Sequence, residues 1–223
     1  MTVIRVFLVG DQALVRAGFA MLVNSQADMT VVGEAGDGAE ATERIPAAGA
    51  DVVLMDVRMP HTNGVEATRR LLHGPGPSPK IIVLTTFDLD EYAVAALRAG
   101  ASGFLLKDAP PEELLGAIRT VQRGDAVIAP STTRRLLDHL VTQPAVAADG
   151  PNPLAALTGR ERELLIEMSR GASNTEIASR LYLWEATVKT HVGRILTKLG
   201  LRSRIQAVVL AYEHGLVRPG GNP

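Results

Sequence analysis

The chain has 223 residues, of which 46% are hydrophobic and none is cysteine, and its formal net charge is −1. The lack of cysteine excludes disulfides and thiolate metal sites, and no apolar run approaches the roughly 20 residues of a membrane-spanning helix. The apolar segment Val3–Val9 lacks the flanks of a signal peptide, and we interpret it as a buried first strand. We therefore expect a cytoplasmic protein that does not enter a membrane.

The two halves of the chain differ in charge. Residues 1–124 carry 11 basic and 15 acidic side chains, whereas residues 154–223 carry 10 basic and 6 acidic ones. An acidic half followed by a basic half suggests that the second half is the one that meets nucleic acid.

Short apolar runs alternate with helical patterns in the first half. The runs are rich in Val, Ile and Leu and nearly continuous, which is typical of strands covered on both faces. We predict an α/β domain over residues 1–124, with five parallel strands in a doubly wound sheet. The predicted strands are Val3–Val9, Met29–Glu34, Asp51–Met55, Lys80–Thr85 and Ser102–Leu106, and the predicted helices cover 12–24, 37–47, 63–72, 90–99 and 111–123.

Polar residues stand at the carboxyl ends of four predicted strands, where functional groups collect in such sheets. They are Asp11, Asp56, Thr85 and Lys107. Two carboxylates can hold a hard divalent cation, and the cation and a lysine together would neutralise the charge of a transferred phosphoryl group. Asp56 is then the candidate nucleophile. A lone Asp at a strand end more often caps a loop. This interpretation therefore depends on all four residues occurring in this order at the strand ends.

The first half resembles the receiver domains of response regulators, which have a flavodoxin-like fold, over essentially all of residues 1–124. The resemblance is carried by the stretches Val9-Gly10-Asp11-Gln12, Leu54-Met55-Asp56-Val57-Arg58-Met59-Pro60, Leu84-Thr85-Thr86-Phe87 and Gly100-Ala101-Ser102-Gly103-Phe104-Leu105-Leu106-Lys107.

The resemblance implies a phosphorylation site. Asp56 is the phosphoacceptor, and Asp11, Asp56 and the backbone carbonyl of Arg58 are the protein ligands of Mg²⁺. Receivers usually carry two adjacent acidic residues after the first strand, and here Gly10 replaces the first. We expect weaker Mg²⁺ binding and slower phosphorylation in consequence. The alternative is that Gly10 merely eases a turn.

The resemblance also implies a switch. Thr85 is the hydroxyl that bonds the phosphoryl group, and the family spacing of 22 residues back from Lys107 selects it over Thr86. Lys107 is the cation beside the phosphoryl group, and Phe104 takes the place of the aromatic switch residue. In physical terms, the added charge of the phosphoryl group would shift the equilibrium between two states of the receiver. The alternative for Phe104 is an ordinary, partly buried aromatic.

Residues 125–153 have a different character. A helical pattern is limited to Thr132–Val141, and the segment that follows, Gln143–Pro153, is small, Pro-rich and unpatterned. We interpret 125–153 as a flexible linker with one short helix.

Residues 154–218 carry helical patterns, and we predict an all-α domain of four helices. Thr158–Glu161 and Ser173–Glu176 each fit a capping box, and Gly171 and Gly200 are typical helix ends. A short turn joins the second helix to the third, which is the spacing of a helix-turn-helix. The second, third and fourth helices are predicted over 174–181, 185–199 and 203–214.

The third helix has an apolar stripe that faces inward. Its polar side chains lie mostly off that stripe, where long cations can reach phosphates or base edges. These side chains are Lys189, Thr190, Arg194 and Lys198.

The second half resembles the LuxR/NarL-type helix-turn-helix, and together with the receiver it places the chain in the NarL/FixJ subfamily. The matching stretches are Leu157–Leu165, Gly171–Ala178, Ala186–Val192 and Ile195–Leu199. By this resemblance Lys189 and Thr190 face the major groove, while Thr187, Lys198 and the segment Ser173-Asn174 contact the DNA backbone. Part of the last helix forms the contact of a homodimer that reads an inverted repeat.

Two residues of the third helix depart from the family. Gly193 stands where relatives often carry a larger side chain, so base readout there would be lost. Trp184 stands where relatives usually carry a capping Ser, and a missing cap costs about 1 kcal/mol. We expect its indole to pack locally rather than to lie against the sugar-phosphate backbone.

We therefore predict a transcription regulator that a sensor histidine kinase phosphorylates on Asp56 and that binds double-stranded DNA as a dimer, without turnover of an external substrate. The alternative is an atypical receiver that binds DNA independently of phosphorylation or in response to a small ligand, as Gly10 would favour. An aspartate-nucleophile phosphatase would need a second Asp in the segment Asp56-Val57-Arg58, which has none.

Overall fold

The structure is a computed structural model, and it describes residues 3–74, 78–86, 91–125, 127–128 and 152–217. The chain divides into two compact units after Ile128. Most of the predicted linker, including its helix at Thr132–Val141, lies outside the described residues. The domain boundaries at 124 and 154 stay predictions.

A parallel sheet with the strand order β2-β1-β3-β4-β5-β6 forms the centre of the first unit. The five predicted strands are confirmed, and a sixth of two residues pairs with β5. The strands are β1 (Ile4–Val9), β2 (Met29–Ala35), β3 (Val52–Asp56), β4 (Lys80–Thr85), β5 (Gly103–Leu106) and β6 (Val127–Ile128).

Helices connect the strands, as a parallel sheet requires. They are α1 (Ala13–Asn24), α2 (Gly38–Ala48), α3 (Gly64–His73), α4 (Glu91–Arg98) and α5 (Pro111–Gln122). Every residue of β3 is buried, and so are five of the six residues of β4. This two-sided burial explains why the strands have continuous apolar runs. Because β3, β4 and β5 are parallel neighbours, their carboxyl ends lie at one edge of the sheet.

Within residues 152–217, the second unit contains a 3-10 turn at Pro153–Ala156 and four helices: α6 (Gly159–Ser169), α7 (Asn174–Arg180), α8 (Glu185–Leu199) and α9 (Arg204–Glu213). Capping boxes begin three of them, with Thr158, Ser173 and Ser203 as the caps. Of the four, only α8 begins without a side-chain cap, because its N-cap residue is Trp184. The inward stripe of α8 is confirmed, since Val188, Val192 and Ile195 are buried in the core of this unit.

Candidate functional site

The carboxylate of Asp56 lies at the carboxyl end of β3 and is 4% exposed. Its Oδ2 accepts a hydrogen bond from Nζ of Lys107, and its Oδ1 accepts one from the backbone N–H of Arg58 at 3.1 Å. The structure thus brings together two of the predicted site residues, and it orients both carboxylate oxygens of the candidate nucleophile.

Burial raises the pKa of Asp56 above its ordinary value, because a low-dielectric environment disfavours the charged form. The hydrogen bond and charge of Lys107 and the backbone N–H of Arg58 oppose this shift, whereas the charge of Asp11 adds to it. Lys107 is therefore the main group that opposes this rise of the pKa and favours the ionised carboxylate, the form that a nucleophile requires.

Asp11 is exposed and follows the end of β1, near enough to act on Asp56 through its charge. Among the described residues no group of three or more Asp, Glu, His or Cys side chains could hold a metal ion. Two carboxylates and the carbonyl of Arg58 nevertheless fit Mg²⁺, which commonly keeps several waters and takes one or two carboxylates from the protein.

Gly10 stands directly beside this carboxylate. A Cβ at position 10 would lie 3.4 Å from Cβ of Asp56 and 3.6 Å from its Oδ2. A side chain there would face the site, so the missing acidic residue removes a charge from the pocket itself. Sequence reasoning overlooked Arg16, which lines the same pocket and donates to the carbonyl of Gly10. Its position on the inner side of α1 is the signal that could have revealed it.

Thr85 ends β4, next to β3, and is 1% exposed. Asp56 pairs in register with Leu84, so Thr85 lies one residue further along the neighbouring strand. Thr86 is exposed. This placement is consistent with the choice of Thr85 as the switch hydroxyl. Phe104, in β5, is fully buried, more deeply than the partly buried aromatic of the alternative interpretation.

The loop between β3 and α3 packs tightly against Asp56, a feature that sequence reasoning also missed. The N–H of Gly64 donates to the carbonyl of Val57 at 2.9 Å. A Cβ at position 64 would lie 2.1 Å from the carbonyl oxygen of Asp56, far inside contact distance. Glycine at this position therefore permits the backbone approach that holds the loop over the site.

Three of the predicted DNA-contacting side chains, Lys189, Thr190 and Arg194, are exposed on α8. Nζ of Lys189 lies 3.0 Å from Glu185 in a half-exposed pair. Surface pairs of this kind contribute little and exchange readily for another anion. Thr187 is half-buried. The hydroxyl of Thr190 donates to a carbonyl of its own helix at 2.9 Å.

Three other predicted backbone contacts are engaged within the domain. Asn174 is 2% exposed, and its Oδ1 accepts from Nη1 of Arg204 at 2.6 Å, so its side chain is not on the surface. Nζ of Lys198 donates to Oε2 of Glu161 at 2.7 Å. Ser173 is exposed, but its hydroxyl forms the capping box of α7. Asn174 and Ser173 lie outside α8, whereas Lys198 lies in its last turn and remains partly exposed despite this pair.

The expected local packing of Trp184 was wrong. Its side chain is 84% exposed, and Tyr182 in the same turn is 95% exposed. The backbone explains this, because the intervening Leu183 turns inward and packs against the core of the unit.

Two family models match the chain: the response regulator receiver domain over residues 6–119 and the bacterial regulatory proteins of the luxR family over residues 155–211. An uncharacterized transcriptional regulatory protein of Bacillus subtilis, YxjL, is 45% identical over 217 residues, which cover 96% of this chain and 98% of that protein. The DNA-binding transcriptional activator DevR/DosR of Mycobacterium tuberculosis is 41% identical over 219 residues, which cover 98% and 99% of the two chains.

Among solved structures, the two-component response regulator RcsB in complex with DNA is similar with a TM-score of 0.57 and 25% identity. The match covers 95% of this chain and 98% of that one. None of the helices described for this chain is long and apolar enough to cross a membrane.

Proposed function

The chain belongs to the LuxR-type response regulators of the NarL group, and we propose that a sensor histidine kinase phosphorylates Asp56 to control its binding to DNA. Members of this family are transcription regulators rather than classical enzymes, and a receiver domain implies control by phosphorylation. One observation carries the assignment to Asp56: its buried carboxylate is held between Lys107 and the N–H of Arg58 at a strand end.

In the proposed transfer, an oxygen of Asp56 attacks the phosphorus of a phosphohistidine. A P–O bond forms, the P–N bond breaks, and its electron pair returns to the imidazole. Lys107, freed from the carboxylate, then pairs with an oxygen of the phosphoryl group. The chain accepts one phosphoryl group and turns over no external substrate.

Asp11, Asp56 and the carbonyl of Arg58 would hold Mg²⁺, which when bound supplies positive charge to the phosphoryl oxygens. Because position 10 faces the Asp56 carboxylate and carries no charge, we propose that this site binds Mg²⁺ more weakly than receivers with two acidic residues.

For the switch, the hydroxyl of Thr85 would bond the phosphoryl group from the neighbouring strand. Phe104, fully buried in this structure, would act with it as the aromatic switch residue. A shift of these two buried side chains between two arrangements would supply the bistable element that a local charge change needs.

For DNA, the exposed side chains of α8 form the proposed reading surface. Lys189, Thr190 and Arg194 face solvent there, and Thr187 lies beside them. The RcsB–DNA complex and the activator DevR/DosR support duplex DNA as the partner. We propose that the protein works as a homodimer in the cytoplasm, where promoter DNA is found.

The decisive experiment is incubation of the full-length protein with acetyl phosphate and Mg²⁺, followed by intact mass spectrometry. We expect a gain of one phosphoryl group that is absent from Asp56→Ala and stronger binding of promoter DNA after the gain. Unmodified wild-type protein that still binds DNA would instead favour the phosphate-independent regulator.

A further inference from the structure

Two aromatic side chains project from the turn between α7 and α8. Tyr182 is 95% exposed and Trp184 is 84% exposed. Both rings therefore present almost their entire apolar surface to solvent. The other described aromatic side chains are buried or half-buried: Phe7, Phe19, Phe104 and Tyr212.

The backbone of this turn is adapted to project these rings. Tyr182 has a φ of 53°, in the left-handed region that disfavours a bulky side chain. The N–H of Leu183 donates to the carbonyl of Ala178 at 2.8 Å, and Leu183 packs inward. Strain of this kind persists where the surrounding structure enforces it, and it often marks functional segments. Leu183 accounts for the packing of this turn, but it does not account for the exposure of the two flanking rings.

The turn is continuous with the proposed DNA-reading surface. Trp184 is the N-cap residue of α8, and the exposed Lys189 and Thr190 follow one to two turns further along the same helix. A recognition helix presents its N-terminal end to the major groove, and helix N-termini are among the groups that contact DNA phosphates. The rings therefore lie beside the expected path of the sugar-phosphate backbone, which forms the wall of the groove.

The chemistry of the rings suits that wall. Their apolar faces match the deoxyribose, while the Tyr182 hydroxyl and the Trp184 indole N–H can donate to phosphate oxygens. Neither ring carries charge, so this contact adds affinity without releasing counterions.

We propose that Tyr182 and Trp184, hereafter the aromatic pair, lie against the sugar-phosphate backbone of duplex DNA at the edge of the groove that α8 enters. The inference rests on the proposed binding of DNA by α8. The aromatic pair strengthens binding to any duplex and leaves the choice of sequence to the side chains of α8.

Trp184 is the only tryptophan of the chain, so its fluorescence reports this contact directly. The full-length protein is titrated with a fluorescein-labelled, mixed-sequence duplex at low salt, and DNA anisotropy measures binding. In parallel, an unlabelled duplex of the same sequence is added and the tryptophan is quenched with acrylamide, a neutral quencher that DNA does not repel. We expect protection of Trp184 from acrylamide to rise with occupancy of the duplex.

Two substitutions remove the rings without an expected loss of stability. Tyr182→Gly suits the left-handed backbone, and Trp184→Ser supplies the missing cap of α8. Each is expected to weaken duplex binding about fivefold, with an unchanged or raised melting temperature. Trp184→Phe is the conservative control and should retain most of the affinity.

The salt dependence separates the aromatic pair from a charge contact. Tyr182→Gly and Trp184→Ser should leave the slope of log K against log salt unchanged. Lys189→Ala should reduce that slope by about 0.9, as the loss of one phosphate contact does.

The outcomes are distinct. If the wild type binds the duplex but Trp184 is not protected and both variants keep their affinity, the inference is overturned and the proposed function stays intact. Protection that grows with protein concentration in the absence of DNA would identify a second copy as the occupant and overturn it too. A wild type that binds no duplex would overturn both proposals.

Discussion

Nζ of Lys198 lies 2.7 Å from Oε2 of Glu161, and this pair joins the last turn of α8 to the first turn of α6. Glu161 is almost fully buried and also forms the capping box with Thr158. Lys198 thus has a structural partner within the helical unit, and its contact with a DNA phosphate stays a prediction.

Lys198→Met is expected to lower the free energy of unfolding by about 2 kcal/mol, because it removes a charge-assisted hydrogen bond. The hydrogen bond from Lys198 is the main cause that lowers the pKa of Glu161 from 4.5 to about 2. A depressed carboxyl pKa stabilises the fold above the unfolded-state pKa, and this stabilisation is lost as pH falls toward the folded-state pKa.

The difference in stability between wild type and Lys198→Met should therefore be full at neutral pH and shrink between about pH 5 and pH 2. Urea denaturation across this range measures it. Lys189→Met, which removes a half-exposed pair, serves as the control and should change stability by less than about 1 kcal/mol. A difference that stays constant with pH would contradict the assignment.

Asn174→Ala is expected to destabilise the protein rather than to remove a DNA contact. Oδ1 of Asn174 accepts from Arg204, whose guanidinium is 7% exposed and also donates to the carbonyl of Ala172. A lost partner for a buried charge should cost about 2 kcal/mol. Thermal unfolding and the salt slope of DNA binding distinguish the roles: the slope should be unchanged in Asn174→Ala and reduced by about 0.9 in Arg194→Ala.

Gly10→Asp is expected to raise the affinity for Mg²⁺ about tenfold, because one more charge near the site contributes at least about 1 kcal/mol even in water. The side chain fits, since a Cβ there meets Asp56 at ordinary contact distances. Amide NMR shifts followed during a Mg²⁺ titration measure the affinity. Gly10→Asn, similar in shape but neutral, is the matched control. An equal gain in both variants would show that charge is not the cause.

Gly64→Ala is expected to destabilise the receiver by about 1–3 kcal/mol, because the new methyl group would clash with the backbone carbonyl of Asp56. The displaced loop should also slow phosphorylation by acetyl phosphate. Gly116→Ala in α5 meets no atom within 4 Å, and it should stabilise the protein by up to about 1 kcal/mol. Chemical denaturation of both variants tests the contrast, and similar effects would refute it.

The sequence was sufficient for the elements whose signals are local. The apolar runs predicted β1 to β5, and the spacing of Thr158 and Glu161 predicted a cap that the structure contains. The segment Ser203–Gln206 has the same capping spacing and was overlooked, although the pattern was present. The two-residue β6 is too short to produce a periodic signal.

Contacts between distant residues were harder to predict. A helical pattern shows which cations lie off the apolar stripe but not which of them have a partner elsewhere in the domain. The sequence therefore predicted a DNA contact for both Lys198 and Arg194. Only the tertiary structure shows that Glu161, 37 positions away, binds Lys198. Likewise, the approach of Gly64 to Asp56 depends on the path of a loop that no periodicity records.

The uncapped start of α8 has a consequence for the motions of the helical unit. In α6, α7 and α9, a serine or threonine hydroxyl accepts from the first turn, whereas no side chain does so at Trp184. The first turn of a helix frays more easily when no side chain accepts hydrogen bonds from its N–H groups. Amide hydrogen exchange should therefore be fastest, among these four helices, at the beginning of α8, and the proposed binding of DNA by α8 should suppress that fraying.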